Sequence, residues 1–413
     1  MTRAFQAKKL DEAIALALAR VEPISETETL PTTDSCSRVL AEDILCPEDV
    51  PGFARSAMDG YAVRASETHG ASRERPVLLK IIGSVEMGQD PRTLPAVHAG
   101  EACEIPTGGP LPDGADAVVM LEETERQNDQ LVRLFAEVTP GTHVLSADSD
   151  FRRGELVFKA GHKLRAVDIG ALLAMGILSV TVYRRVRVGL ISTGSELVEA
   201  EQPIRPGQVR QINSHILRHL LESQGAQAIS LGIVPDDREK LRATVQRAVR
   251  ESDLVLLSGG SSVGARDWTL ELLQELGEVL VHGLQIKPGK PTIFAVVDTK
   301  PVIGLPGNPV SCVLVFEKFV RPVLARRSGL RVLLPAHRLA SAQLTQTVPS
   351  ALGREDFVAI RLRLDESFGR LYAEPVLGHS NNISTLARAD GILHVPSELE
   401  EIPEGTHVWV ELL

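Results

Sequence analysis

The pattern of apolar and polar positions is most regular between residues 185 and 328. Short, nearly continuous apolar runs predict buried strands there, separated by segments of helical period. The helical segments begin at caps near Asn213, Asp236, Asp267 and Pro309. Strands alternating with helices are typical of a doubly wound, mainly parallel sheet, which binds ligands beyond the carboxyl ends of its strands. The predicted strands are 187–192, 228–234, 254–258, 293–297 and 302–305.

The rest of the chain has a different pattern. Residues 8–20 and 167–175 have the apolar spacing of helices. Residues 51–139 hold short strand-like runs separated by Gly and Pro, which predicts a small β domain. Residues 331–413 are strand-like again, with apolar and polar positions alternating over 357–364. The sequence therefore predicts a multi-domain α/β plus β protein.

Charge and composition indicate which kinds of binding partner the protein has. The chain has 44 Lys and Arg against 54 Asp and Glu, a net charge of −10, and only 4% aromatic residues. A protein that binds nucleic acid needs a basic face or stacking aromatics, so we expect no nucleic-acid partner. Four cysteines lie far apart without a CxxC pair, the start is polar, and no apolar run is long enough to span a bilayer. We expect no membrane partner and a cytoplasmic location.

The strongest local motif follows the predicted strand 254–258. Successive small residues before a helix let backbone N–H groups converge on an anion at the helix N-terminus. The alternative is a tight strand–helix turn that only needs glycine torsions, and the sequence does not decide between the two. The residues of this loop are Ser258, Gly259, Gly260, Ser261, Ser262, Val263 and Gly264.

Carboxylates follow three of the predicted strands. Glu196, Asp236 and Asp237, and Asp267 come from separate strand–helix loops that meet at one edge of the sheet. Beside a bound phosphate such carboxylates hold Mg²⁺ directly or through water. Each aspartate also has a simpler interpretation as a helix N-cap, and Glu196 as a solvated helix-start residue. Three loops offering carboxylate or glycine at one edge favour the metal hypothesis.

Two further segments offer anion-binding groups. Lys287 and Lys290 lie on a proline-rich turn, where two positive charges suit a phosphate or an oxyanion; the alternative is an exposed polar turn. Residues 304–311 (GLPGNPVS) link a strand to a helix and are either another anion-facing loop or a well-made turn. Residues 55–62 and 105–110 are interpreted as turns rich in small residues.

Seven motifs in order resemble the MoeA family, the molybdopterin molybdenumtransferases, which includes the gephyrin E domain. Each motif alone is weak, but together they span nearly the whole chain. They are RSAMDGYA (55–62), IPTGGPLPDGADAVVMLEE (105–123), STGSEL (192–197), SGGSSVGARDWT (258–269), IKPGKP (286–291), GLPGNPVS (304–311) and ARADGILHVP (387–396).

The resemblance implies an elongated protomer that acts as a homodimer, with its site at the subunit interface. Residues 1–50 and 140–184 would form a linker and dimerisation domain, and residues 51–139 an inserted β domain. Residues 185–329 would form the α/β molybdopterin-binding domain, similar to molybdopterin adenylyltransferases. Residues 330–413 would form a C-terminal β-barrel-like domain.

The resemblance also implies a reaction. Molybdate would be inserted into adenylylated molybdopterin with Mg²⁺-dependent cleavage of the pyrophosphate link, giving molybdenum cofactor and AMP. Contacts with the adenylyltransferase and with molybdoenzyme maturation partners are implied as well. The catalytic residues carried over are Asp59 and Thr107, acting from the partner subunit, with Glu196, Asp236 and Asp267, which would also hold the metal. The substrate-binding residues carried over are Ser258, Gly259, Gly260, Ser261, Val263, Gly264, Lys287, Lys290, Pro306, Gly307, Asn308, Pro309, Ser311, Arg354 and Ser380.

The chain departs from the family pattern at two positions. The family often has Asp where this chain has Ser195, and again where it has Gln211. Two fewer carboxylates could weaken metal binding, mark a preference for tungstate, or be tolerated variation. We favour tolerated variation because Glu196, Asp236 and Asp267 remain.

Two other functions stay open at this stage. A non-catalytic molybdopterin carrier or scaffold would bind the adenylylated pterin without releasing AMP. A molybdopterin adenylyltransferase would consume ATP and metal-free molybdopterin. The motifs at 55–62 and 105–110 disfavour the second alternative, because the resemblance assigns them to the insertion family.

Overall fold

The computed structural model describes residues 7–259, 268–331, 338–367 and 369–413. Its central element is a six-stranded sheet in which four neighbouring strands are parallel, and two antiparallel strands extend one edge. The predicted doubly wound, mainly parallel sheet is therefore confirmed. The edge strand Glu278–His282 was not predicted. In spatial order the strands are Gln227–Val234, Arg187–Thr193, Leu254–Ser258, Lys300–Leu305, Ile293–Val297 and Glu278–His282.

Helices cover both faces of this sheet because their apolar stripes pack on buried strands. One correction concerns the first of them. Asn213 is its first helical residue rather than its cap, and Ile212 occupies the cap position without a side-chain hydrogen bond. The helices are Asn213–Ser223, Arg238–Glu251, Trp268–Leu276, Pro309–Val315 and Arg321–Arg327, the last two joined by a π-helical turn, Phe316–Val320.

The inserted β region forms a separate six-stranded sheet with its own apolar cores. The interpretation of 55–62 and 105–110 as turns is wrong in part, since Gly60–Val63 is a fully buried strand and Glu101–Ile105 ends just before Pro106. Their small residues are needed for packing between strands. In spatial order the strands are Ala117–Met120, Gly60–Val63, Glu101–Ile105, Val77–Ser84, Leu131–Leu134 and Thr124–Asn128.

The C-terminal region closes into a five-stranded barrel around a small apolar core. Its longest strand, Glu355–Asp365, pairs with strands on both sides and so completes the ring. Ile286–Lys287 of the α/β region adds to the same strand in parallel. The barrel strands are Leu339–Leu344, Glu355–Asp365, Arg370–Pro375, Gly391–Val395 and His407–Leu412, beside a short helix Ser384–Ala387.

Segments distant in sequence pair in the remaining region. Helix Ala166–Ala174 packs in a cluster that joins Leu40 and Ile44 to Leu164 and Met175. The paired strands there are Thr27–Pro31 with Ser179–Tyr183, Ile44–Leu45 with Leu156–Phe158, and Arg55–Ser56 with Val144–Leu145. Elsewhere, Leu197–Val198 pairs with Val209–Arg210 and Val348–Pro349 with Glu401–Ile402. Short 3₁₀ turns are Thr32–Asp34, Ala65–Thr68, Pro91–Thr93 and Leu121–Glu123.

The first helix, Leu10–Leu18, belongs to the α/β core. Its buried residues Leu10, Ala13 and Ala17 lie in the same apolar cluster as Leu254 and Phe294 of the central sheet. Helix Leu10–Leu18 therefore packs against the α/β region and precedes the paired segments in sequence. The predicted domain boundaries stay predictions.

Candidate functional site

The carboxyl ends of the parallel strands form one edge of the α/β sheet. Ser192 and Ser258 are register partners at that edge, and both are buried. The strand order changes direction between their two strands, which is where open α/β sheets bind ligands. The loops after these strands carry most of the residues singled out from the sequence.

Two carboxylates are held on neighbouring loops at this edge. The amide N–H of Ser195 donates to Asp236 Oδ2 (3.1 Å), and the amide N–H of Asp236 donates to Ser195 Oγ (3.1 Å). Glu196 follows directly, and both carboxylates are exposed. Asp237 is the helix cap, since its side chain accepts from the amide of Lys240 (3.0 Å). The capping alternative therefore holds for Asp237, and Asp236 is left available for a ligand.

The donor chemistry of this edge fits a hard divalent cation. Mg²⁺ is usually bound by one or two carboxylates together with substrate phosphates, and Glu196 and Asp236 supply two. Within the described ranges, no three His, Cys, Asp or Glu side chains are grouped as a complete metal site. The third predicted carboxylate, Asp267, lies outside the described residues, as do Gly260, Ser261, Val263 and Gly264.

Three loops pack closely around Ser258. Gly259 has φ +103°, and a Cβ there would lie 2.2 Å from the carbonyl oxygen of Thr193, so only glycine fits. A Cβ on Gly307 would lie 3.5 Å from the Cα of Gly259. Asn213 connects two of these loops by hydrogen bonds. Its Nδ2 donates to Ser258 Oγ (2.7 Å) and to the Gly307 carbonyl oxygen (2.8 Å).

A cleft of about 1900 Å³ lies between the α/β region and the barrel. Strand addition sets its geometry, because Ile286 pairs with Glu355 and Lys287 with Asp356. Segments far apart in sequence are thereby brought together to line one cleft. The predicted substrate-binding residues that line the cleft are Lys287, Lys290, Pro306, Asn308, Ser311, Arg354 and Ser380.

Hydrogen bonds fix the orientation of polar side chains on the barrel side of the cleft. Arg354 donates through Nε to Asp356 Oδ1 (2.9 Å) and through Nη2 to Oδ2 (3.3 Å), and the Asp356 side chain is buried. Asn308 Nδ2 donates to Ser380 Oγ (2.9 Å) across the cleft. The guanidinium of Arg354 is therefore oriented by a buried carboxylate while it stays partly exposed to the cleft.

Asp59 and Thr107 form a pair of their own in the inserted region. Asp59 Oδ1 accepts from the amide of Thr107 (2.7 Å) and from its hydroxyl (2.9 Å). The Thr107 amide, and then its hydroxyl, lower the pKa of the Asp59 carboxyl below its usual value. Both residues are exposed. In the part of the chain that the structure describes, no hydrogen bond or ion pair connects this pair to Glu196 or Asp236.

Comparison with known proteins places the chain in a family. Profiles of the MoeA N-terminal region (domain I and II), a probable molybdopterin binding domain and the MoeA C-terminal region (domain IV) match residues 8–176, 189–326 and 341–413. The molybdopterin molybdenumtransferase of Haemophilus influenzae is 35% identical over 97% of this chain and 98% of its own length. The chain belongs to the MoeA family.

Other members agree with this assignment. The molybdopterin molybdenumtransferase of Bacillus subtilis is 32% identical over 98% of this chain and 94% of its own length. A crystal structure of the molybdopterin biosynthesis MoeA protein from Pyrococcus horikoshii OT3 superposes with a TM-score of 0.85 at 32% identity, covering 99% of this chain and all of that one. The expected MoeA-type architecture is thus confirmed.

The two departures from the MoeA pattern have clear local structures. Ser195 replaces a carboxylate with a hydroxyl that accepts from the amide of Asp236. Gln211 is buried, and its Nε2 donates to Ser192 Oγ (2.6 Å) and to Ser214 Oγ, while its Oε1 has no partner among the residues that the structure describes. The buried position of Gln211 suits a neutral amide, because an unpaired buried charge would be costly.

Two residues of the candidate site were not predicted in the roles that the structure gives them. Asn213 was interpreted as a helix cap, and Asp356 was not singled out. A signal existed for Asp356, which stands two positions from Arg354 at the start of an alternating strand. For Asn213 the signal was its place at the end of the family motif that includes Gln211, but no local pattern indicates its partners, which lie 45 and 94 positions away.

No helix among the described residues combines the length and apolarity needed to cross a bilayer.

All four cysteines are free. Burial raises the pKa of the Cys312 thiol, which is hydrogen-bonded to Ser258, to about 12.

Proposed function

We propose that this chain is a molybdopterin molybdenumtransferase that inserts molybdate into adenylylated molybdopterin and releases AMP. The observation that carries the proposal is the cleft lined by Lys287, Lys290 and Arg354. Pro306 and Asn308 line the same cleft and follow strand Lys300–Leu305 of the sheet whose neighbouring loops carry Glu196 and Asp236. An oxyanion and a pyrophosphate ester are both anionic, and these two regions supply cations and carboxylates for them. The names of relatives at 32% and 35% identity support the same reaction.

In this proposal the cations act on molybdate. Lys287 and Lys290 attract MoO₄²⁻ by charge, and Arg354 donates directional hydrogen bonds to its oxygens. The Asp356 carboxylate keeps the guanidinium facing the cleft, so less rotamer freedom is lost when the oxyanion binds. Ser380 and Asn308 are already paired with each other, and both line the cleft.

The sheet edge acts on the pyrophosphate link. Glu196 and Asp236, with Asp267, would hold Mg²⁺, which neutralises charge as the phosphoanhydride breaks. Ser195 fixes one oxygen of Asp236 and leaves the other free to accept. Backbone groups of the loop that starts at Ser258 would hold the phosphates.

We further propose that the active protein is a homodimer, in which Asp59 and Thr107 act on the site of the partner subunit. The absence of any hydrogen bond or ion pair between them and Glu196 or Asp236 in the described part of the chain supports this arrangement. Exposed apolar side chains near the paired segments offer a surface for a second copy: Leu45, Leu156, Val167, Leu173 and Leu178. Contacts with the adenylyltransferase and with molybdoenzyme maturation partners, and a cytoplasmic location, are part of the same proposal.

The test is AMP release by the purified protein, given adenylylated molybdopterin and Mg²⁺ with and without molybdate. Two neighbouring substitutions form a matched pair. Asp236→Asn removes a proposed metal ligand, and we expect AMP release to fall about tenfold or more. Asp237→Asn keeps a good helix cap and should release AMP at the wild-type rate.

The outcomes separate the candidate functions. Molybdate-stimulated AMP release that Asp236→Asn abolishes supports the insertase. Tight binding of adenylylated molybdopterin without AMP release contradicts it and indicates a carrier or scaffold. Consumption of ATP with metal-free molybdopterin would instead indicate an adenylyltransferase. Equal losses in the two variants would mean that Asp236 acts through the loop and not through its carboxylate.

A further inference from the structure

Asn213 connects two loops of the proposed site with one side chain. It is the first residue of helix Asn213–Ser223 and is 8% exposed. Its amide nitrogen donates to Ser258 Oγ (2.7 Å) and to the carbonyl oxygen of Gly307 (2.8 Å). Both N–H groups of the side chain are thus used between two different strand–helix loops.

The chemistry of these partners requires an amide at this position. The Gly307 carbonyl can only accept, so it fixes the orientation of the Asn213 amide. Among the described residues, the buried Oδ1 of Asn213 has no partner, whereas its Nδ2 has two. An aspartate has the same shape but would place a carboxylate oxygen against the Gly307 carbonyl.

The two loops connect the α/β sheet edge to the cleft beside the barrel. Ser258 begins the small-residue loop, and Gly307 precedes Asn308, whose Nδ2 donates to Ser380 Oγ of the barrel (2.9 Å). Ser258, Asn213, Gly307, Asn308 and Ser380 therefore form a continuous chain of contacts from the α/β sheet edge to the far wall of the cleft. Asn213 contributes to this chain of contacts from helix Asn213–Ser223, the first helix after strand Arg187–Thr193.

We infer that Asn213 is a positioning residue, which holds the Ser258 and Gly307 loops at the spacing needed to bind adenylylated molybdopterin. The inference rests on the proposed function for the identity of the ligand. The hydrogen bonds to the two loops are independent of it. If this position only started the helix, an asparagine would not be required there, because aspartate is equally or more favourable at a helix N-terminus.

Asn213→Asp therefore distinguishes the two roles. The negative charge favours the helix N-terminus, so a helix-starting role predicts unchanged or higher stability and unchanged binding. The positioning role predicts that the dissociation constant for adenylylated molybdopterin rises at least tenfold, measured by titration calorimetry. It also predicts faster hydrogen exchange in peptides covering 254–259 and 304–311. The control is Asn128→Asp, where the side-chain oxygen that accepts from the Gln130 amide is retained.

Each result has one meaning. Weaker binding and faster exchange in Asn213→Asp, with Asn128→Asp unchanged, support the inference. Wild-type binding by Asn213→Asp overturns it, whatever the exchange rates. If the wild-type protein itself does not bind adenylylated molybdopterin, the proposed function is wrong. The exchange rates of the two loops then decide alone whether Asn213 holds them, and unchanged rates overturn the inference.

Discussion

The buried carboxylate of Asp253 should contribute strongly to the stability of the α/β region, and Asp253→Asn tests this. Asp253 stands just before strand Leu254–Ser258 and is 4% exposed. It accepts from Arg184 Nη1 (2.6 Å) and Nη2 (2.9 Å) and from the amide of Arg187 (2.8 Å). Burial opposes its ionisation, but the hydrogen bonds from Arg184 and Arg187 outweigh burial and lower its pKa.

The expected loss follows from this geometry. Both members of the Asp253–Arg184 pair are mostly buried, with side-chain exposures of 6% and 20%. Breaking such a pair leaves the arginine charge without its main partner and costs about 3–5 kcal/mol. Because a domain of this size loses about 2–4 °C per kcal/mol, the melting temperature of the α/β transition should fall by at least about 6 °C.

Scanning calorimetry is the assay, with separate transitions fitted because a multi-domain chain does not unfold in one step. Asp90→Asn is the matched control. Asp90 forms a similar ion pair with Arg92, but the side chains are 41% and 89% exposed, so the change should stay within about 0.5 kcal/mol. A loss below about 1 kcal/mol in Asp253→Asn, or equal losses in both variants, would refute the reasoning, since burial would not be what makes the pair strong.

The pH dependence gives an independent check. A carboxyl whose pKa is lowered by folding adds stability above its unfolded pKa, about 3.9 for aspartate. That stability is lost as the pH falls through the lower, folded pKa. The difference between wild type and Asp253→Asn should therefore be complete near neutral pH and shrink in acid below about pH 4.

Three further predictions concern the site. Gly259→Ala should lower stability by at least about 1–2 kcal/mol and weaken substrate binding, because φ is positive and the Thr193 carbonyl is in the way; calorimetry and substrate titration measure both. Thr107→Ala should raise the pKa of Asp59 toward its usual value, measured by carboxyl NMR titration; an unchanged pKa would contradict the pairing. Lys287→Ala should raise the KM for molybdate about tenfold with kcat nearly unchanged, and added salt should reduce the difference.

The sequence predicted the α/β region well because its signals are local. Continuous apolar strands, helical periods and small-residue loops fall within short windows, and the helix starting at Pro309 and the final strand His407–Leu412 lie where the pattern placed them. The strand Gly60–Val63 was missed because its small residues resemble a turn. It forms a strand because it pairs with Glu101–Ile105 on one side and Ala117–Met120 on the other. Both partners lie about 40 to 60 positions away, outside the short stretch of sequence from which a strand is predicted.

By itself, the sequence determined the class of the fold, the loops that carry function and, through its ordered motifs, the family resemblance. Tertiary structure decided which side chain does what. Asp236 and Asp237 are equivalent as caps until the helix start selects Asp237 and Ser195 binds Asp236. Lys287 and Arg354 line one cleft only because strand Ile286–Lys287 of the α/β region pairs with strand Glu355–Asp365 of the barrel. The physical reason is that periodicity is a property of consecutive residues. Hydrogen-bond partners and the two walls of the cleft instead depend on contacts between segments that are distant in sequence.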